Sequence, residues 1–229
     1  MSFQSFFRAF ALAVVTALSA TGAQAASHMA LGAIALAPEG YVALCERQPL
    51  ACGADAAQVL AGAARADAER QALLGGPAVG DALGASPAEA VADVAMTPEL
   101  LAALKDVNAR VNRAIRPIKD NGDTWTLPLA EGRRAGDCED YVMEKIQALV
   151  GRGVPRSALN IAVAVTPWGE THAVLVVTTT DGEFVLDNLN PDVRPWADVP
   201  YKWGKRQVAG RAFQWAMVRK AASAAASGD

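Results

Sequence analysis

Histidine is nearly absent: two occur in 229 residues, His28 and His172. Any proton transfer that relies on an imidazole is therefore confined to two positions. Cysteine is sparse as well, with Cys45, Cys52 and Cys138 making up the whole complement. No block of Lys and Arg breaks the mildly acidic balance, a formal charge of −3, which argues against a nucleic-acid footprint. No internal repeat is present. Beyond the first residues, no apolar run is long enough to cross a bilayer.

What the chain does have begins with an address. Arg8 precedes an apolar run at 9–20, followed by Ala23-Gln24-Ala25, small residues suited to a signal peptidase. That run is 12 residues long, whereas a spanning helix needs roughly 20. A cleavable export signal over residues 1–25 is expected, so the mature chain is periplasmic or otherwise exported. Its removal takes away a single charged residue, Arg8, and leaves 204 of the 229 residues, one domain's worth of chain with an ample core.

Export places the three cysteines in an oxidising compartment, where an odd count suggests one pair and one free thiol. An unbroken helix would hold Cys45 and Cys52 roughly 10 Å apart at Cα, beyond disulfide reach. Pro49 lies between them and interrupts such a helix. A small disulfide loop is therefore expected in an N-terminal segment, 26–52, and Cys138 remains free.

Residues 53–95 are dominated by Ala, Gly and Asp. They read as a loosely ordered insertion with one Ala-rich helix at 54–74. A single domain over 96–220 follows, then a disordered tail at 221–229. Thr97-Pro98-Glu99 opens a helix, with Thr as N-cap and Pro in the first turn, ending at Arg116 before Pro117. A short extended stretch at 125–128 leads to a helix from Asp137 or Cys138 to Gly151. Strands are expected at 159–166, 171–180, 183–187 and 211–219, with Asp181-Gly182 as a hairpin turn. Helices followed by an antiparallel sheet make an α+β layout.

Cys138 sits in Gly136-Asp137-Cys138-Glu139-Asp140 at a helix start, where unpaired amides and the macrodipole favour a thiolate and should lower its pKa. A thiolate nucleophile needs a base that takes and returns a proton near neutral pH. His28 falls in a mobile terminus, which leaves His172, at the head of the apolar strand Ala173-Val174-Leu175. Such a base is oriented by a third polar group, here Asp187 or Asn188. With the turn at Asp181-Gly182, Asp187 falls opposite Val176, four residues from His172. An offset, a bulge or a wider loop is then required for the two to meet.

The ordered set Gly136-Asp137-Cys138-Glu139-Asp140-Tyr141, His172-Ala173-Val174-Leu175 and Leu186-Asp187-Asn188 closely resembles the bacterial transglutaminase-like cysteine peptidases, the family of the LapG-type periplasmic proteases. Residues 107–112, 125–128 and the cysteines Cys45 and Cys52 join the resemblance. It implies a papain-like fold, a nucleophile helix packed on an antiparallel sheet, with Cys138, His172 and Asp187 as the triad. It also implies neighbouring strands for His172 and Asp187. Members of the LapG type cleave a surface adhesin and use calcium held by acidic residues beside the cysteine, positions matched here by Asp137 and Glu139. Those residues have an equal explanation as first-turn caps of the helix.

The function expected is a periplasmic thiol endopeptidase acting on a protein or peptide through a thioester acyl-enzyme. Acyl transfer to an amine, or a non-catalytic peptide-binding module of the same fold, are the alternatives. The oxyanion would be met by the Cys138 N–H and a second donor, from the Trp125 segment or Asn108.

Overall fold

The computed structural model describes residues 28–53, 93–119 and 122–219, with scattered residues between 61 and 71. The expected export signal, most of the expected insertion at 53–95 and the expected tail at 221–229 lie outside the described residues.

Strand β1, Leu31–Ala35, is followed by helix α1, Glu39–Arg47, which buries Tyr41, Leu44 and Cys45. A short 3-10 turn at Pro49–Cys52 folds the chain back. Cys45 and Cys52 close a disulfide with their Cα atoms 5.6 Å apart. Pro49 is therefore what brings two cysteines seven positions apart into bonding range.

Helix α2, Pro98–Ala114, starts as expected, with Leu100 N–H donating to the Thr97 hydroxyl at 3.1 Å. It stops two residues before Arg116, because Ile115 is already extended. Arg116–Pro117 forms strand β2, which pairs in parallel with β3, Ala135–Gly136. The Ile115 carbonyl accepts from the Tyr141 hydroxyl at 2.8 Å, so a tertiary contact helps set this terminus. Helix α3, Cys138–Val150, then packs against the sheet and against α2.

The remaining strands are β4 (Leu159–Val165), β5 (Thr171–Thr179), β6 (Gly182–Leu186), β7 (Arg194–Pro195), β8 (Lys202–Val208) and β9 (Arg211–Val218). With β1 they form a seven-stranded sheet in the order β1-β9-β8-β4-β5-β6-β7, every neighbouring pair antiparallel. Helices α1, α2 and α3 with a large antiparallel sheet make the α+β layout expected.

Alternation along β5 divides the core. Ala173, Leu175 and Val177 face the helices, while Val174 and Val176 pack with Val185, Trp196 and Val199 on the other side. A strand covered on both faces reads as a continuous apolar run, which is why this one is conspicuous in sequence. Strand β8 is not: Lys-Trp-Gly-Lys-Arg-Gln-Val looks like a surface segment. Its buried Arg206 pairs with Glu183 of β6. Its buried Gln207 donates to the Tyr41 hydroxyl and the Ala212 carbonyl and accepts from Ile161 N–H.

The β5–β6 hairpin turns at Thr180-Asp181, one residue earlier than expected, since Thr179 pairs with Gly182. The Thr179 hydroxyl donates to the Gly182 carbonyl at 2.7 Å and accepts from Asp181 N–H. Thr180 N–H is tied to Val94.

Candidate active site

The acidic residues that open α3 bind the chain around them. Asp140 returns to the Asp137 amide at 3.3 Å as half of a capping box. Its other oxygen accepts both Thr126 N–H and the Thr126 hydroxyl at 2.8 Å. Glu144, one turn on, accepts Leu129 N–H at 2.7 Å. The 125–130 stretch is thus clamped to the helix by two carboxylates. Gly136 is required beside them, because a Cβ there would lie 2.5 Å from Asp140 Oδ2.

Cys138 begins α3 as the one free cysteine among the described residues, partly exposed. Its thiol meets the backbone amide of Ala173. That amide is open because β5 runs past the end of β6, whose last pair is Leu175 with Leu186. The nucleophile helix therefore sets its first residue against the overhanging end of β5, next to His172. The thiol also donates to Glu139 Oε2 at 3.0 Å. Its pKa moves opposite to the expectation from the helix terminus: burial pushes it up first, and the Glu139 carboxylate adds to the rise. A dipole contribution confined to the first turn is outweighed by desolvation and an adjacent anion.

His172 and Asp187 meet. Their side chains are 5% and 3% exposed, and Nε2 lies 2.8 Å from Asp187 Oδ1. The observed register explains how. Extending the pairing of Leu175 with Leu186 places Asp187 opposite Val174, two residues from His172 on the same face. Such a diagonal is about 7–8 Å between backbones and within reach of long side chains. Neither a bulge nor a widened loop is needed. Asp187, rather than Asn188, is the imidazole's partner.

Asp187 is itself held from three sides. Tyr201 donates its hydroxyl to Oδ2 at 2.6 Å, Leu189 N–H reaches Oδ1 at 2.9 Å, and Asn112 holds the Asp187 carbonyl at 2.8 Å. Burial alone would raise the Asp187 pKa, but the His172, Tyr201 and Leu189 hydrogen bonds hold it below the ordinary carboxylate range. The Tyr201 ring also meets the His172 ring edge-on, with centroids 5.7 Å apart. Sequence reasoning missed Tyr201, which no local motif marks, and gave Asn112 no role beyond its place in the 107–112 stretch of the resemblance.

Other candidate residues lie elsewhere. His28 sits 4.0 Å from Asp93. Asn108 spends its side-chain amide on the carbonyls of Asn190 and Pro191, so it is not an oxyanion donor in this arrangement. The Trp125 indole donates to Asp123, and the next amide belongs to Asp140. Among the described residues, no group of three or more His, Cys, Asp or Glu side chains is gathered to hold a metal ion. Beside Asp187 and Tyr201 lies a cavity of about 190 Å³, walled by Trp168, Leu189, Val199 and Arg194.

Comparison with known proteins adds the following. The sequence model of a family described as bacterial transglutaminase-like cysteine proteinase matches residues 84–223. Among solved structures, calcium-bound Legionella pneumophila LapG is 25% identical, with 57% of this chain and 76% of that one covered and a TM-score of 0.46. EGTA-treated LapG from the same organism is 21% identical, with coverages of 76% and 84% and a TM-score of 0.44. No curated protein matches.

Proposed function

This chain belongs to the bacterial transglutaminase-like cysteine proteinases and is a cysteine peptidase, and we propose that Cys138 is its nucleophile, His172 its base and Asp187 the residue that orients the base. The observation that carries the assignment is the 2.8 Å contact between His172 Nε2 and Asp187 Oδ1. With the Nε2 proton given to a buried carboxylate, the neutral imidazole keeps its lone pair on Nδ1, the nitrogen left for the thiol. The Ala173 amide at Cys138 supports the pairing, since it anchors the sulfur one residue along β5 from His172.

In the reaction, Nδ1 takes the Sγ proton as sulfur bonds to the peptide carbonyl carbon. The resulting oxyanion faces the Cys138 N–H, a first-turn amide with no partner inside the helix. Collapse breaks the C–N bond, and His172 returns its proton to the leaving amine. Water, deprotonated in turn by His172, releases the acyl group from the thioester.

The substrate is a polypeptide, and an exported adhesin is the proposed target. The cavity beside Asp187 and Tyr201 supports a site for substrate residues next to the scissile bond. Trp168 and Leu189, 60% and 50% exposed, stand at its wall as open apolar contacts. Export through residues 1–25 is part of the same proposal, and no helix among the described residues is long and apolar enough to cross a membrane.

Calcium is the ion named for one LapG structure. Here the acidic residues are otherwise engaged: Asp140 and Glu144 hold backbone amides and Glu139 accepts from the thiol. A calcium site needs about six to eight oxygens, and Asp137 and Glu139 in this conformation do not supply them.

The direct test compares wild type with His172→Ala for iodoacetamide labelling of Cys138 and for cleavage of an exported adhesin fragment. Wild type is expected to label faster and to cleave. Equal, slow labelling in both proteins would overturn the catalytic pair.

A further inference from the structure

Tyr201 stands just before β8, at the end of the sheet that carries His172. Strand β4 fixes that placement, because it pairs with β5 on one side and β8 on the other. Ala164 of β4 lies opposite His172 on β5 and opposite Trp203 on β8, so those two side chains share a face of the sheet. Tyr201, two residues before Trp203, falls on that face as well. Its ring packs against Trp203 with centroids 6.0 Å apart, and Trp203 packs against Trp196 at 6.1 Å. A row of aromatic rings therefore fixes the Tyr201 ring in place.

From there the side chain meets both members of the buried pair. The ring stands edge-on to that of His172, at 5.7 Å and an interplanar angle of 88°. The hydroxyl donates to Asp187 Oδ2 at 2.6 Å, while His172 Nε2 lies 2.8 Å from Oδ1. Each carboxylate oxygen thus has its own side-chain partner, and among the described residues Tyr201 is the only partner of Oδ2. Burial and the Asp187 carboxylate push the Tyr201 pKa up, so the hydroxyl keeps its proton and remains a donor.

Without that hydroxyl, Oδ2 would be a buried anionic oxygen left without a partner, a costly state that gaining a proton relieves. A protonated Asp187 would donate to Nε2 and leave the imidazole proton on Nδ1. The nitrogen needed by the thiol would then be blocked.

We propose that Tyr201 is a positioning residue for the base: its hydroxyl pins Asp187 as an ionised acceptor and so holds His172 in the Nε2–H tautomer, with Nδ1 open to the Cys138 thiol. The inference rests on the Cys138, His172 and Asp187 reading above. Tyr201 also lines the cavity beside Asp187. Tyr201→Phe keeps that wall and the packing on Trp203, and removes only the hydroxyl.

The test reads the ring nitrogens of His172 by nitrogen NMR at pH 8, in a chain whose only other histidine is His28. Iodoacetamide labelling of Cys138 and thermal melting are measured alongside, in wild type, Tyr201→Phe and His172→Ala, the last of which also assigns the signals. Wild type is expected to show the Nε2–H tautomer alone. Tyr201→Phe should show a substantial share of Nδ1–H and label about tenfold more slowly, on the scale of one hydrogen bond to a charged group. The wild-type tautomer and labelling rate in Tyr201→Phe would overturn the inference and leave the residue a cavity wall. A lowered melting temperature with the wild-type tautomer would overturn it in favour of a structural role. Wild-type labelling in His172→Ala would defeat the catalytic reading itself, a result distinct from either of these.

Discussion

The Cys138 thiol donates to the carboxylate of its chain neighbour Glu139 at 3.0 Å, so the proposed nucleophile is held neutral by the next side chain. Burial and this anion both raise its pKa. Replacing Glu139 with Gln removes the charge and keeps the shape. Alkylation of Cys138 at pH 7 is expected to rise about tenfold, on the scale of one pKa unit for a lost neighbouring charge. An unchanged rate would assign the rise to burial alone.

Asp187→Asn should keep the fold, because the Asn oxygen still accepts from Leu189 N–H and its amide can donate to the Tyr201 hydroxyl, which both donates and accepts. The imidazole would lose its anionic partner and be free to take the wrong tautomer. Peptide cleavage is expected to fall by at least about a hundredfold, the scale seen when an orienting carboxylate is lost. Melting should fall at neutral pH and converge on wild type in acid. The sign of the pH effect follows from the lowered folded-state pKa. The stability due to the ionised Asp187 is present above its unfolded pKa and is lost as pH falls through the folded value, so the acid arm should flatten in the variant.

Lys145 has a linkage of the same sign in a higher pH window, although here the shift disfavours the charged form. Its folded pKa is depressed to about 7 from 10.5, so above pH 7 the unfolded chain binds the extra proton and stability rises with pH toward the unfolded value. Urea titrations from pH 7 to 10 should show a gain on the order of a few kcal/mol in wild type that Lys145→Met lacks. Parallel curves for the two proteins would refute it.

Glu183 and Arg206 are buried partners across β6 and β8, and Glu183 also accepts from Met29 N–H and the Thr178 hydroxyl. Glu183→Ala strands the guanidinium in the core. A loss of about 3–5 kcal/mol in urea unfolding is expected, and a loss below about 1 kcal/mol would mean that water reaches Arg206.

Trp168→Ala tests the groove. An exposed indole beside the site contributes to binding rather than to chemistry, so KM for a polypeptide substrate should rise several-fold with kcat nearly constant. A fall in kcat at constant KM would contradict that role.

Much of this was already local in the chain. Thr97-Pro98 starts α2 as a cap and first-turn proline do anywhere, and Asp137 starts α3 as its N-cap, in a capping box with Asp140. The apolar run after His172 is a strand because both its faces are covered. Pro49 allowed the Cys45–Cys52 bridge to be anticipated. These readings depend on backbone sterics and on periodicity within a few residues.

Only the folded molecule settled the rest. A hairpin displaced by one residue, tied through Thr180 to Val94, put Asp187 two positions from His172 instead of four. Tyr201, just before β8, and Asn112 of α2 reached Asp187 from distant parts of the chain, and no spacing rule connects them. Strand β8 was hidden because its buried polar residues are satisfied by partners far away in sequence. The local rule at the helix terminus favoured a reactive thiolate at Cys138, whereas burial and the Glu139 carboxylate hold it as a thiol. Desolvation and long-range charge are properties of the packed chain, and neither can be read from neighbouring letters.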